Sequence, residues 1–300
     1  MYLLAIVVTK GSNSSTRRGL LLRLRRFLQK PWHEKVRWVG LQWLETISRI
    51  PRPVRLPFGA YFFRRNDALG FNLPRFETRE LAFAERFLRP GMTVLDIGAH
   101  QGVYTLLASR CVGPSGRVFS FEPSPRERRA LRLNLTMNFC GNVVVQALAL
   151  GNQETTADLY VVDEYNTGCN SLRPPTVPEL TSTVAVRVGT LDNWLAQGKI
   201  NRVDFVKLDV EGAELSVLKG AREFLARTRP ILLIEIAQIR TAGWGYDAVE
   251  IVRFLENMGY VWFEILDGGK LAPANQDDQR EMNLVAVPRG QEQELVSRAS

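Results

Sequence analysis

The chain has 300 residues, of which 45% are apolar and 23% charged, a length and composition sufficient for one large globular domain and an extension. Its three cysteines show no C-x-x-C spacing and only two histidines occur. These counts argue against a disulfide framework, a structural zinc site or a His-rich metal centre, and favour a reducing compartment. The net charge of +8 is unevenly spread. Residues 1–65 hold fourteen Lys/Arg against two acids, a balance of +12, whereas the remaining residues have a balance of −4.

The N-terminal segment, residues 1–57, is predicted to be a basic helical extension that ends in a Pro-rich linker. Its opening apolar run, Tyr2–Val8, is too short to span a bilayer, and its basic residues follow that run, so we predict no export signal and no transmembrane helix. Residues 10–19 are small and polar, which is typical of disorder. Apolar spacing then predicts a short helix over Leu20–Gln29 and an amphipathic helix from Val36 to Ile50.

The basic amphipathic region, residues 20–50, permits three interpretations. With Trp32, Trp38 and Trp43 it would suit an anionic membrane surface, because lysine and arginine attract lipid head groups while tryptophan lies at the interface. It would equally suit packing on the following domain with its basic face in solvent. Nucleic acid ranks last, because no RNA-binding motif is recognisable.

The following segment is predicted to form a linker, a hairpin and a helix. Pro51, Pro53 and Pro57 indicate a stiff linker. Tyr61–Phe63 and Leu69–Leu73 then have the pattern of a small hairpin that covers a sheet. A helix is expected over Thr78–Leu88, ending before Pro90 and Gly91.

The stretch from Thr93 to Ala108 reads as a buried strand, a glycine-rich bend and a helix, the first half of a doubly wound nucleotide-binding sheet. Its pattern is D-x-G-x-x-x-G, because His100 stands where a dinucleotide fingerprint has its second glycine. The next strand ends at Glu122, 24 positions after Gly98, close to the offset of an acid that binds ribose hydroxyls. An acidic strand end at Asp96 suits S-adenosylmethionine, a sulfonium nucleoside without phosphate, better than a dinucleotide.

The rest of the chain alternates predicted strands and helices. In order, these are a helix from Ser124 to Asn138, a continuous strand Val143–Leu150, an antiparallel pair Leu159–Val162 and Val184–Val188, a short helix Leu191–Ala196, a strand Val203–Val210, a helix Ala213–Leu225, a buried strand Ile231–Ile236, a helix Asp247–Met258 and an antiparallel closing pair Tyr260–Leu266 and Asn283–Val287. The long loop between the members of the first pair, with Asn166–Leu172 and three prolines, is expected to carry function.

Three blocks of sequence carry a resemblance to a known family: Asp96–Gly102, Phe121–Ser124 and Val206–Glu214, the last followed by Leu218-Lys-Gly220. With these blocks, residues 75–288 resemble the FkbM family of S-adenosylmethionine-dependent methyltransferases. His100 departs from the small polar residue that the family usually has.

The resemblance implies an α/β fold with a Rossmann-like, doubly wound, mostly parallel seven-stranded sheet, as in class I methyltransferases. We assign this domain to residues 58–288, preceded by the helical extension and followed by a tail at 289–300. The implied cofactor is S-adenosylmethionine. The residues expected to bind it are Asp96, Gly98, Ala99, Gly102, Glu122, Pro123, Ala147 and Leu148. His100 would touch cofactor or acceptor, or would only be solvated, as loop histidines more often are.

The block around Asp209 supplies the catalytic candidates. Lys207, Asp209 and Glu211 alternate with apolar residues and therefore point to one face of a strand. As hypotheses, Asp209 accepts or steers the acceptor proton, Glu211 orients it, and Lys207 holds Asp209 or stabilises oxyanion charge. The alternative is an internal ion pair that only braces the strand.

Two further predictions concern ligands. In the inserted loop, Asn170 and Ser171 are candidate acceptor contacts. Asp209 and Glu235 end neighbouring strands, but two carboxylates are weak support for a cation, so no metal is predicted.

The predicted activity is O-methylation of a hydroxyl on a sugar of a glycan, glycolipid or natural product, as the resemblance implies. The rivals are methylation of RNA or protein, supported only by the basic extension, and a non-catalytic cofactor-binding scaffold. No Asn-Pro-Pro-Tyr or Asp-Pro-Pro-Tyr sequence is present, which lowers the expectation of amino-group methylation. The expected partners are a small-molecule or glycan acceptor and, through residues 20–50, the membrane surface. The expected location is the cytoplasm, and oligomeric state is left open.

Overall fold

A computed structural model divides the chain into two units, with the boundary between Pro51 and Arg52. The structure describes residues 52–64, 76–162, 168–175, 177, 181–198, 200–274, 281–293 and 295, all in the second unit. The predicted helices of the extension, the predicted strand 69–73, part of the inserted loop and the end of the predicted tail lie outside these residues and stay predictions. In the described part, no helix has the length and apolarity needed to cross a membrane.

The described part contains thirteen strands. They are β1 (Arg52–Arg55), β2 (Tyr61–Arg64), β3 (Thr93–Ile97), β4 (Arg117–Phe121), β5 (Val143–Gln146), β6 (Ala149–Leu150), β7 (Thr155–Val162), β8 (Thr181–Gly189), β9 (Phe205–Leu208), β10 (Ile231–Ala237), β11 (Tyr260–Ile265), β12 (Leu271–Pro273) and β13 (Glu281–Pro288).

Eight α-helices lie between these strands in the described residues. They are α1 (Thr78–Phe87), α2 (Val103–Val112), α3 (Pro125–Met137), α4 (Leu191–Gly198), α5 (Glu214–Lys219), α6 (Arg222–Thr228), α7 (Gln238–Thr241) and α8 (Val249–Asn257). Single 3₁₀ turns follow α7 (Ala242–Trp244) and β11 (Asp267–Gly269).

The central sheet has the strand order β12-β11-β13-β10-β9-β3-β4-β5. Strands β10, β9, β3, β4 and β5 are parallel, whereas β13, β11 and β12 pair antiparallel to their neighbours. Helices α1–α3 pack on one face, and α4, α5, α6 and α8 pack on the other. The predicted doubly wound, mostly parallel α/β sheet is therefore confirmed. It has eight strands instead of seven, because the short β12 joins the edge beyond β11.

One strand of the predicted hairpin, Tyr61–Phe63, has a partner that was not predicted, whereas the other, residues 69–73, lies outside the described residues. Tyr61–Arg64 pairs with Arg52–Arg55, the segment that the prolines had marked as a linker. Pro53 is tolerated because, among the residues that the structure describes, β1 pairs with β2 alone, so the missing N–H interrupts no second ladder there. The segment around Pro53, which was predicted to be a stiff linker, is therefore an edge strand.

The predicted continuous strand Val143–Leu150 is broken. Val143–Gln146 forms the edge of the central sheet, whereas Ala149–Leu150 pairs parallel with Val188–Gly189 in a separate three-stranded sheet of order β6-β8-β7. An apolar run has the same pattern whichever sheet it joins. The sequence therefore did not reveal that the chain passes from the central sheet to the small sheet between Gln146 and Ala149. The predicted antiparallel pair is present in that small sheet, longer than expected.

The predicted helix Ala213–Leu225 is two helices, α5 and α6, separated at Gly220. A Cβ at Gly220 would lie 2.0 Å from the carbonyl oxygen of Gly151, so the chain passes there too closely for any side chain. This contact joins α5 to the segment that leads into the small sheet.

Candidate functional site

A cleft lies at the carboxyl ends of β3, β4 and β9, where ligands bind in open α/β sheets. The opposite side of the cleft is formed by the small sheet and by residues 168–172. The lining residues are Ile97, Gly98, His100, Phe121, Glu122, Pro123, Leu148, Ala149, Leu150, Leu159, Gly168, Asn170, Ser171, Leu172, Asp209, Val210, Glu211 and Ala213. Nine of the predicted site residues, His100 included, are among them.

The glycine bend after β3 is built around Gly98. Its φ is +88°, and a Cβ there would lie 1.7 Å from the carbonyl oxygen of Asp209, so only glycine fits. The N–H groups of Gly98 and Ala99 both donate to the Phe121 carbonyl, at 3.1 and 3.0 Å. The bend therefore ties the ends of β3, β4 and β9 together at the edge of the cleft.

Two other residues of the bend do not line the cleft. Ala99 is buried beside it. Gly102 precedes α2, and a Cβ there would lie 2.4 Å from Cδ1 of Leu131 on α3. The second glycine of the pattern thus lets α2 pack closely against α3, and it is not a ligand contact in this geometry.

Glu122 lies buried at the cleft, directly after β4. One carboxylate oxygen accepts from the His100 N–H at 2.8 Å and the other from the Ser124 N–H at 2.7 Å. Burial raises the pKa of Glu122 to about 8, although these two hydrogen bonds oppose the rise. Each oxygen keeps a further lone pair, so the carboxylate can accept from two adjacent hydroxyls.

Asp96 is turned away from the cleft. Side chains alternate along β3, so Ile97 lines the cleft while Asp96 faces α2 and accepts a hydrogen bond from the Thr105 hydroxyl. Thr105 also lies 3.0 Å from the Ser120 hydroxyl. Burial raises the pKa of Asp96 to about 6, partly offset by the Thr105 hydrogen bond. Asp96 therefore anchors α2 to the sheet.

Lys207 is also absent from the cleft lining, because its side chain is 2% exposed. Its Nζ donates to Asp209 at 3.1 Å and lies 5.1 Å from the centre of the Tyr104 ring. Burial alone would lower the pKa of Lys207, but the charges of Asp209 and Glu77 raise it above its ordinary value. The ammonium group therefore stays charged beneath the cleft floor.

Asp209 and Glu235 form a coupled carboxyl pair at the ends of β9 and β10. Burial favours protonation of Asp209, but Lys207 and a hydrogen bond with Glu235 hold its pKa below the ordinary value. The charge of Asp209, together with burial, raises the pKa of Glu235 to about 9. At neutral pH the proton therefore resides on Glu235, and Asp209 is the ionised member that faces the cleft.

Glu211 follows β9 in a left-handed conformation, with φ +56°, and is paired with the guanidinium of Arg240. Burial and the charge of Asp209 raise the pKa of Glu211, while Arg240 opposes them. Arg240 also donates to Sγ of Cys169 at 3.3 Å. Carboxylate oxygens of Asp209, Glu211 and Glu235 lie within 4.8 Å of one another, and Lys207 and Arg240 compensate their charge.

Asn170 and Ser171 line the cleft, but their polar groups also fasten the inserted loop. Asn170 Oδ1 accepts from the Val162 N–H at 2.9 Å, and the Ser171 hydroxyl donates to the Glu211 carbonyl at 3.0 Å. The Ser171 backbone pairs with Tyr160 on β7. These residues therefore shape the wall of the cleft opposite the central sheet.

The remaining predicted residues are divided between the cleft and its surroundings. Pro123 and Leu148 line the cleft, whereas Ala147 is exposed outside it. His100 lines the cleft in a left-handed conformation, with Nε2 3.4 Å from the carboxylate of Glu127.

Three residues of the site were missed from the sequence: Glu77, Tyr104 and Arg240. The Tyr104 hydroxyl donates to the Glu77 carboxylate, and both lie near Lys207. Glu77 precedes α1 and had no recognisable motif. A tyrosine at the start of a nucleotide-site helix, and an arginine directly after a central strand, were the only signals that the sequence offered for the other two.

The chain is similar in sequence to known methyltransferases. The profile of the Methyltransferase FkbM domain matches residues 96–262. Methyltransferase 1 of Beauveria bassiana is 27% identical over 42% of this chain and 57% of its own length. The 2-O-methyltransferase NoeI of Sinorhizobium fredii is 26% identical over 47% and 62%. The chain thus matches about three fifths of the length of these relatives. A crystal structure of methyltransferase FkbM from Methylobacillus flagellatus is 17% identical, with a TM-score of 0.41 over 66% of this chain and 43% of that one.

Proposed function

The chain belongs to the FkbM methyltransferase family, and from this premise we propose that it methylates a hydroxyl oxygen on a sugar-containing acceptor, such as a glycan, a glycolipid or a natural product. The observation that carries the proposal is Asp209, an ionised carboxylate on the cleft wall that Lys207 holds from below. Such a group can take the proton that a hydroxyl must lose when it is methylated.

The methyl donor is S-adenosylmethionine, and the residues of the cleft fit it. Glu122 offers two carboxylate oxygens to the ribose hydroxyls, and Phe121, Leu148 and Leu150 supply an apolar wall for adenine. When bound, this cofactor supplies an already activated methyl group.

The protein must then align the acceptor hydroxyl with the methyl group and remove the proton of that hydroxyl. As the acceptor oxygen forms its bond to the methyl carbon, its O–H becomes acidic, so even a carboxylate of lowered pKa can accept the proton. We assign this step to Asp209. Water is limited by the small sheet and by the loop around Ser171, which cover the cleft opposite the central sheet.

The neighbours of Asp209 would set its position and charge. Lys207 is buried beneath the cleft, which favours holding Asp209 over direct stabilisation of an oxyanion. Glu235 donates a hydrogen bond to Asp209 from the neighbouring strand β10. Glu211, fixed by Arg240, lies on the lining beside Asp209 and would accept a hydrogen bond from a second acceptor hydroxyl.

Oxygen methylation has one further support, the relative named as a 2-O-methyltransferase. That name describes the relative, and the match covers 62% of it. A sugar acceptor agrees with the closely spaced oxygen acceptors at Asp209 and Glu211, because sugars offer adjacent hydroxyls.

The proposal is tested in two steps with the full chain. Calorimetry with S-adenosylmethionine should show binding, and radiolabelled methyl transfer should then appear in glycan or glycolipid extracts. Transfer to RNA or protein alone would reject the sugar acceptor. Cofactor binding with no transfer to any extract would instead favour a cofactor-binding scaffold.

A further inference from the structure

Hairpin β1–β2 and helix α3 form one continuous surface. The Asn138 side chain accepts from the Tyr61 N–H at 2.8 Å and donates to the Tyr61 carbonyl at 2.6 Å. Asn134 accepts from the Phe63 N–H at 2.7 Å. Because two side chains of α3 bind the hairpin backbone, helix and hairpin present their outer residues together. We call this the hairpin–α3 surface, defined by Tyr61, Arg129, Arg132, Leu133, Met137 and Phe139.

The hairpin–α3 surface concentrates exposed apolar side chains. In the described part of the chain, seven large apolar side chains are exposed, and five belong to this surface or to the adjoining edge strand β5. Phe139 is the most exposed, at 93%, followed by Tyr61 at 52%. Phe139 and Val144 line one open depression between the end of α3 and β5, so these two apolar side chains belong to one area. A cluster of this kind indicates an interaction site.

Phe139 has an unfavourable backbone conformation as well as an exposed ring. It follows α3 with φ +56°, and the Phe139 and Cys140 N–H groups donate back to Thr136 and Leu135, at 3.2 and 3.0 Å. This is the left-handed position after a helix that glycine normally occupies. An exposed phenylalanine there stabilises neither the helix end nor the core, which argues that the ring serves a contact outside the domain.

The charge of the surface is uniformly positive. Arg129 and Arg132 are exposed on the same outer side of α3 as Leu133 and Met137. Residues 125–146 hold four arginines and one acid, the buried Glu127. Residues 52–64 hold three arginines and no acid, and residues 1–51, which precede β1 in the chain, hold ten Lys/Arg against two acids.

We propose that the hairpin–α3 surface docks on an anionic lipid bilayer. Protruding apolar side chains flanked by arginines complement such a surface, because the rings and aliphatic chains enter the interface while the guanidinium groups meet lipid phosphates. A basic extension joined at β1 would add to the same attraction. Helix α3 begins three residues after Glu122 and is about 20 Å long, so the cleft and Phe139 lie at opposite ends of one rigid element. The docking is independent of the identity of the acceptor.

The test is co-sedimentation of the full chain with vesicles that contain phosphatidylglycerol, compared with vesicles of phosphatidylcholine alone. We expect binding to the anionic vesicles. Phe139→Gly should weaken the partition coefficient by about tenfold, since one buried aromatic ring is lost. It should leave the melting temperature unchanged or raise it, because glycine suits the left-handed position. The double variant Arg129→Glu/Arg132→Glu should weaken binding by about tenfold or more.

Two controls change the same kinds of residue elsewhere. Leu266→Ser removes an exposed apolar side chain beyond β11, near the other edge of the sheet, and Arg253→Glu reverses an exposed charge on α8. Both should bind anionic vesicles as the unaltered chain does. Unchanged binding by Phe139→Gly and by the double variant would overturn the proposal and assign any lipid binding to residues 1–51. A Phe139-dependent dimer, or RNA binding without lipid binding, would overturn it equally.

Discussion

The two walls of the cleft are built in different ways. The wall at β3 and β4 is held by the backbone: Gly98 allows the bend, and two nearby N–H groups, of His100 and Ser124, fix Glu122. The wall at the end of β9 is held by side chains. The side chains around Asp209 belong to residues that are far apart in the sequence, including Glu77, Tyr104 and Arg240.

This contrast has consequences for mutation. On the backbone-held wall each side chain has its own partners, so the effect of one substitution should be confined to cofactor binding. On the side-chain wall the carboxylates share a proton and two cations, so their substitutions should be non-additive.

Asp209→Asn should have the largest effect. It removes the only proton acceptor that we assign to the reaction, and loss of a general base typically lowers turnover by about 10²–10⁴-fold. Cofactor affinity should change little, because Glu122 is intact. Steady-state methyl transfer and calorimetry measure the two quantities. Asp158→Asn, on exposed β7, is the matched control, and near-normal turnover by Asp209→Asn would remove this residue from the mechanism.

Glu122→Gln should weaken cofactor binding by about tenfold or more, because hydrogen bonds to a charged group contribute about 1.5–3 kcal/mol. The dependence on pH is a sharper test. The pKa of Glu122 is about 8, and hydroxyl donors favour its ionised form, so affinity should increase as pH rises through that value. Isothermal titration between mildly acidic and alkaline pH should show this slope in the unaltered chain and lose it in Glu122→Gln. Equal slopes would exclude Glu122 as its origin.

Glu235→Gln should preserve turnover near neutral pH, because the amide still donates a hydrogen bond to Asp209. In the unaltered chain the pKa of Glu235 is about 9, so at higher pH it ionises, ceases to donate and repels Asp209. We expect turnover to fall above that pH and the fall to disappear in Glu235→Gln. Glu235→Ala, which cannot donate, should be slower at every pH. A pH–rate profile that is identical in all three proteins would contradict the shared proton.

Tyr104→Phe should have the smallest effect on turnover. The ring near Lys207 remains, but the Glu77 carboxylate loses its hydrogen-bond donor. A buried acceptor left unpaired costs about 1–3 kcal/mol in the free energy of unfolding. Urea unfolding should show that loss, with turnover reduced by less than tenfold. Tyr160→Phe on β7 serves as the control, and a large loss of turnover without loss of stability would give Tyr104 a more direct role.

The backbone-held wall was predictable because its causes are local. The bend at Gly98 and the acid at Glu122 follow from the order strand, glycine, helix, strand and acid, and the structure brings both to one cleft. The alternation of Lys207, Asp209 and Glu211 could equally be predicted from the sequence. Their different burial relative to the cleft could not. Lys207 lies beneath the floor, whereas Asp209 and Glu211 line the cleft.

The order of the strands and helices, the acids that follow the strands, and the family could therefore be predicted from the sequence. Apolar periodicity and glycine spacing, which carry these predictions, are local properties. Tertiary structure alone decided which face each acid occupies and which partner it meets. Asp96 faces α2, Glu77 reaches the surroundings of Lys207, and the strand predicted as Val143–Leu150 is divided between two sheets. Burial and charge pairing act across distant segments, and no local pattern encodes them.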